Sequence, residues 1–163
     1  MIYLSLLAKI MLENVYFQFE ADFVASLRCI PMQVRYKLDT CGIKLKLSHW
    51  HQFSADERHT LVNLPCNTPV EIAAYRTSLQ ALILQYTHSP ASELPIDPNP
   101  PWLDPRQIPA SLQAKLQDVE ASLSPLQWQG LTPIQRFALI KLSRSSHENR
   151  NFIPALQEFL GKP

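Results

Sequence analysis

Three cysteines, Cys29, Cys41 and Cys66, are the side chains of this 163-residue chain best equipped for chemistry. Thiolates are nucleophiles and soft-metal ligands. None of the three sits in a CxxC pair, and an odd number cannot close a disulfide framework without remainder. Converging in space, they would supply three ligands to a metal ion or an iron–sulfur cluster, with a fourth ligand that the sequence does not name. Arg28 beside Cys29 would ease ionisation of that thiol. The competing reading is three small, buried, reduced hydrophobes in a cytoplasmic protein. His49, His51 and His59 form a second metal-ligating combination. On a helix, residues two apart point about 200° away from each other, so His49 and His51 would share a metal only in an extended segment. No acidic or cysteine partner stands at a usual spacing, and the expectation is three solvent-facing histidines.

The richest polar run lies near the C-terminus. Arg136, Lys141, Arg144 and Arg150 bring positive charge, and His147, Glu148, Asn149 and Asn151 complete the set. Cations suit a helix C-terminus. They also suit recognition of an acidic partner, because guanidinium groups pair with carboxylates and phosphates. Asn149 and Asn151 could bind a neighbour's backbone or cap the last helix. These eight residues are the candidate partner-binding surface. No catalytic residue emerges: no nucleophile stands in a recognisable pattern with a base, and no carboxylate pair stands out. Gly42, Gly130 and Gly161 are the only glycines, too few and too scattered for a dinucleotide fingerprint or a phosphate-cradling loop. A net charge of +1 gives no bulk attraction to nucleic acid or to an anionic membrane.

The elements that would position these groups announce themselves through an internal echo. Residues 30–64 align without a gap to 108–142. Both copies contain W-x-x-[FL]-[ST]-x-x-[EQ]-R-x-x-L-x-x-L, beginning at Trp50 and at Trp128. Ser54 with Glu57, and Thr132 with Gln135, have the spacing of a capping box, in which each end of the motif satisfies an orphan amide of the other. Pro133 suits the first helical position. Phe53 and Leu131 can staple the helix start, and the leucines at three-residue spacing then face a core. Arg58 and Arg136 occupy matching places, which predicts a structural pairing with a carboxylate or a helix end.

Further helices follow by the same signs. Pro31–Cys41 carries apolar residues at i, i+4, i+7 and stops at Gly42. Thr68 and Glu71 form a third capping box, opening the longest helix to about Tyr86 with Ile72, Tyr75, Leu79 and Leu82 on one face. Ile108–Ala121 predicts another helix. A last one runs from Asn151 or Ile153 to Leu160, with Pro154 in its first turn. Val15, Phe17 and Phe19, and Ile43, Leu45 and Leu47, alternate with polar residues and would suit a small N-terminal two-stranded ribbon. Residues 88–107 read as a proline-rich linker pinned to the body by Trp102 and Leu103. The expected fold is therefore all-α: a helical bundle of two related helix-turn-helix units, about 30–86 and 108–160, in a single domain spanning 17–163. Residues 1–16 are apolar but short, and are expected to be an extension or a misannotated start rather than a secretory signal or membrane span.

Several strings resemble the bacterial nitrate-reductase-associated protein family. They are FQFE at Phe17–Glu20, SLRCIPM at Ser26–Met32, RYKLD at Arg35–Asp39, CGIKL at Cys41–Leu45, DPNP at Asp97–Pro100, RFALIKLSR at Arg136–Arg144 and HENRNF at His147–Phe152. The resemblance covers residues 17–160. It implies a small cytoplasmic protein linked to assimilatory nitrate reductase and to molybdenum-cofactor genes, without assigned catalytic residues and without a cofactor of its own. The function expected on that basis is a non-enzymatic accessory factor for assembly or maturation of nitrate reductase, with the apo-enzyme as partner and neither nucleic acid nor membrane. Two alternatives stay open: metal or iron–sulfur cluster handling through Cys29, Cys41 and Cys66, and a cofactor-processing enzyme.

Overall fold

The computed structural model describes residues 16–144 and 149–161. They form an all-α architecture with one two-stranded ribbon. The chain divides into two units, one ending at Ile96 and the other beginning at Asp97.

The first unit opens with a 3-10 turn at Gln18–Glu20 and a single helical turn, α1 (Ala21–Val24). Helix α2 (Met32–Cys41) follows, and buries Val34, Leu38 and Cys41 as their spacing predicts. It stops at Gly42, whose φ of +74° is the left-handed conformation only glycine adopts without strain. Two short helices come next, α3 (Leu47–Gln52) and α4 (Ala55–Asn63). The 19-residue helix α5 (Pro69–Thr87) then packs against α2 and α3. Capping boxes form at Ser54/Glu57 and Thr68/Glu71, where each side chain bonds the other residue's amide. The core joins Leu27, Val34, Cys41, Trp50, Leu61, Tyr75 and Leu79, with Leu82 and Tyr86 packed on its edge.

The ribbon departs from expectation. Ile43–Lys44 (β1) pairs antiparallel with Ser92–Glu93 (β2), in the register Ile43↔Glu93 and Lys44↔Ser92. Its partner thus comes from the proline-rich stretch, not from the N-terminal segment. The reason lies in Glu20, whose carboxylate accepts the amides of Phe17 at 3.2 Å and Met32 at 2.6 Å. That bend turns residues 17–20 into a helical turn and removes them as a strand. Pro90 and Pro95 flank β2 without interrupting its two paired residues.

The second unit has a 3-10 turn at Pro101–Leu103, then α6 (Ala110–Asp118), α7 (Pro125–Gly130), α8 (Pro133–Arg144) and α9 (Asn149–Leu160). Helix α8 is central and is covered by α6, α9 and the 3-10 turn. Phe137, Ala138, Leu139, Ile140 and Leu142 are all buried along it. Trp102 stands edge-on to Phe137 at 5.0 Å between ring centroids, which is how the proline-rich segment is pinned inside this unit. Helix α9 starts earlier than its proline suggests. Pro154 therefore lies inside the helix, where it withholds one amide from the helical ladder, and Gly161 with φ +81° ends the helix. No helix among the described residues is long and apolar enough to cross a membrane.

Candidate functional site

Each unit is organised around a tryptophan held by an arginine. Trp50 and Trp128 have no exposed surface. Both sit on the short helix that precedes a capped helix, and both indole N–H groups donate to a main-chain carbonyl: Trp50 to Leu27 at 2.6 Å, Trp128 to Asp104 at 3.0 Å. The arginine eight residues on reaches back over the ring. Arg58 places its guanidinium carbon 5.9 Å from the Trp50 ring centroid, and Arg136 lies 5.6 Å from that of Trp128. Nε of each arginine donates to the tryptophan's own carbonyl, at 3.0 Å for Arg58 and 3.1 Å for Arg136. Nη2 donates to the next carbonyl, that of His51 or Gln129. Nη1 reaches an incoming segment, at Leu27 in one unit and Trp102 in the other. The five-donor fork thus covers the open carbonyls at the C-terminus of α3 or α7, where a cation also complements the helix dipole. Leu27 adopts φ +49°, which aims one carbonyl at both Trp50 and Arg58. In the second unit two carbonyls share that task.

The basic C-terminal set is therefore not one surface. Arg136 is only 6% exposed, and its guanidinium is committed to three carbonyls. It belongs to the interior: Phe137 to Ile140 beside it on α8 are buried, and the three acceptors it bonds are main-chain carbonyls. Lys141 is half-buried, its ammonium 5.4 Å from the Phe137 ring centroid. Arg144, at the end of α8, and Arg150, in the first turn of α9, are exposed, and Asn151 is half-buried. His147, Glu148 and the Asn149 side chain lie outside the described residues.

The cysteines divide differently. Cys41 and Cys66 are buried in the first unit and Cys29 is half-buried. Burial pushes the Cys66 thiol up to about 11, helped by neighbouring Cys41, and burial raises Cys41 as well. Protonated thiols are poor metal ligands and poor nucleophiles. Among the described residues no group of three or more His, Cys, Asp or Glu side chains converges as a metal ion requires. The histidines also stay apart in role. His51 Nε2 meets the Arg28 carbonyl at 2.7 Å, and His59 Nδ1 meets that of Ala55 at 2.8 Å. His49 is half-buried, with its Nδ1 enclosed and without a hydrogen-bond partner, and burial lowers its pKa.

Sequence reasoning missed two buried charges. Lys37 Nζ donates to the carbonyls of Val62 and Leu64 at 2.6 Å each, closing the end of α4, and lies 5.5 Å from the Tyr75 ring centroid. Desolvation lowers its pKa. Glu20 is the other, latched to the first amide of α2. Their only sequence signal was a polar residue within a stretch that otherwise builds core. In the second unit an open groove of about 460 Å³ runs between residues 119–122 and α9, floored by Val119, Ala121, Ile153, Leu156 and Leu160. Glu120, Ser122, Gln127 and Gln157 line it as well, so the groove is mixed in polarity.

The sequence profile of a family described as conserved nitrate reductase-associated protein matches residues 16–159. Neither among curated proteins nor among solved structures is there a match. The match begins where the Glu20-latched segment begins and runs to the penultimate residue of α9, so that it takes in both tryptophan–arginine centres and both units. The chain belongs to the conserved nitrate reductase-associated protein family.

Proposed function

We propose that this protein is a non-enzymatic accessory factor for assembly or maturation of assimilatory nitrate reductase, acting in the cytoplasm by binding the apo-enzyme. Family membership over residues 16–159 carries the reading. Holding an apo-enzyme ready for its molybdenum cofactor or iron–sulfur cluster requires only that the immature state be bound more tightly than the finished one. No group on the accessory factor need react. The buried, protonated character of Cys41 and Cys66 fits such a role better than a redox or ligating one.

The contact we favour is the exposed part of the C-terminal basic set, Arg144 and Arg150, with Lys141, Asn149 and Asn151 beside them in sequence and His147 and Glu148 between. Arg136 contributes by holding the second unit together. We further read the two units as copies of one module, on the strength of their matching tryptophan–arginine hydrogen bonds. The test is co-purification with the reductase. Reversing charge at Arg144 and Arg150 should abolish binding while the helical circular dichroism stays native. Unchanged affinity would remove this surface from the proposal. Stoichiometric metal in anaerobically purified protein, lost in Cys29→Ser, would replace the proposal with cluster handling.

A further inference from the structure

Helix α5 is apolar on two opposite faces. One, with Tyr75, Leu79 and Ile83, is buried in the first unit. The other carries Val70, Ala74, Thr77, Ala81 and Leu84, all exposed. Val70 is 80% exposed and Leu84 51%, two of the few large apolar side chains left exposed among the described residues. Their spacing of four, three, four, three is that of a coiled-coil seam. The seam has one polar group, the Thr77 hydroxyl, and it donates to the Ala73 carbonyl of its own helix at 2.9 Å. The helix has two charged side chains, Glu71 and Arg76, and both are spent within the chain. Glu71 accepts the amides of Asn67 and Thr68, while Arg76 bonds the Cys41 carbonyl and Glu93.

We infer that this face pairs with the same face of a second copy of the chain, antiparallel, across a two-fold axis at Thr77. The seam is self-complementary about that residue. Turned end for end, Val70 meets Leu84 of the other copy and Thr77 meets itself, while Ala74 and Ala81 of the two copies lie side by side with a stagger of one residue, about 1.5 Å of helix rise, so bulky side chains lie at the ends and small ones let the backbones approach at the middle. This is the reciprocal pattern an isologous interface demands. No like charges are brought together. A parallel pairing would set Val70 against Val70 and Leu84 against Leu84, and would align the two helix dipoles unfavourably. The area sets the strength. A 19-residue helix is about 28 Å long, and two lying side by side bury on the order of 1,000 Å². That is the lower bound for a specific interface, so the dimer should dissociate on the order of micromolar rather than be permanent.

Sedimentation equilibrium of the full chain from 0.5 to 200 µM (roughly spanning that range) should show a reversible monomer–dimer transition. Ala74→Glu with Ala81→Glu, both on the exposed face, should weaken it at least about 100-fold while leaving the melting temperature within about 2 °C of native. Orientation is read by cross-linking in a Cys29→Ser background. A mixture of Val70→Cys and Leu84→Cys should form the mixed disulfide under mild oxidation, and Thr77→Cys should cross-link to itself. A protein that stays monomeric throughout, a dimer indifferent to the paired glutamates, or Val70→Cys cross-linking only to itself would each overturn the inference.

Discussion

Replacing the buried Arg136 with alanine should destabilise the second unit severely. The guanidinium donates to the carbonyls of Trp128, Gln129 and Trp102 at 3.1, 3.1 and 3.2 Å, and lies 5.6 Å from the Trp128 ring centroid. Each hydrogen bond to a charged donor is worth about 1.5–3 kcal/mol, but truncation costs more than the lost bonds when the abandoned carbonyls stay buried. The cation–ring contact adds about 1 kcal/mol or more once desolvated. Water that enters the cavity recovers part of this, so the net loss should be about 3–5 kcal/mol. Arg58 makes the same three kinds of bond but is half-buried, so water replaces it more cheaply and Arg58→Ala should cost about 1–2 kcal/mol. The assay is thermal melting followed by circular dichroism at 222 nm, which avoids using the affected indole as reporter. For a chain of this length about 2–4 °C is lost per kcal/mol, so Arg136→Ala should melt roughly 10 °C lower and Arg58→Ala roughly 5 °C lower. Arg136→Lys keeps the charge without the planar fork and should fall between Arg136→Ala and native. If Arg136→Ala melts within 2 °C of native (about 1 kcal/mol), or if Arg58→Ala is the worse of the two, the assignment of both arginines as carbonyl clamps is wrong.

Two glycines should respond with opposite sign. At Gly42 a Cβ would lie 2.8 Å from Ile96 Cγ1 and 3.0 Å from the Leu94 carbonyl, in a backbone with φ +74°, so Gly42→Ala should destabilise by about 2 kcal/mol. At Gly130 nothing lies within 4 Å, and Gly130→Ala should stabilise by about 0.5–1 kcal/mol; urea denaturation measures both. Cys29 should be alkylated first by iodoacetamide, since it is the least buried thiol, while Cys66, raised from 9.0 to about 11, should carry about 100-fold less thiolate at pH 8 than an ordinary cysteine. Peptide mapping should find Cys41 and Cys66 modified only after denaturant is added, and rapid native labelling of either would contradict their burial. Glu57 and Glu71 have pKa values lowered by the cap amides they accept. Their stabilisation is thus complete above the unfolded carboxylate range near pH 4.3 and is lost as pH falls through the lower folded values. Glu71→Ala should lower the melting temperature at pH 7, and its effect should shrink as pH falls through the lowered range of the native carboxylate.

Much of this architecture was legible because its signals are local. The capping boxes at Ser54, Thr68 and Thr132 depend on residues three apart, and so do their hydrogen bonds. The apolar spacing of Val34, Leu38 and Cys41 reports a face without reference to any partner. What was not legible depends on groups far apart in sequence. Nothing near Glu93 marks it as a strand partner for Ile43, because two residues of pairing are specified by the Gly42 turn and the Arg76 contact rather than by alternation. Arg136 looked like one cation in a basic run, since charge counting cannot see that its neighbours Phe137 to Ile140 turn the helix inward. The matching position of Arg58 was the better guide, and it pointed to structure. The cysteines show the same limit: their number was readable, but their pKa values follow from burial and from the proximity of Cys41 to Cys66.

Glu20 ties the first described residues to the body of the first unit. Its carboxylate is buried and closes over the first amide of α2, twelve residues away, while its neighbour Phe17 is bound to the other oxygen. A shortened chain starting at Ala21 would keep every main helix and still strand the Met32 amide in an apolar setting. A deletion series read by protease resistance should therefore show a cliff between residues 16 and 21 rather than a slope, and the minimal autonomous fragment would be defined by one carboxyl group.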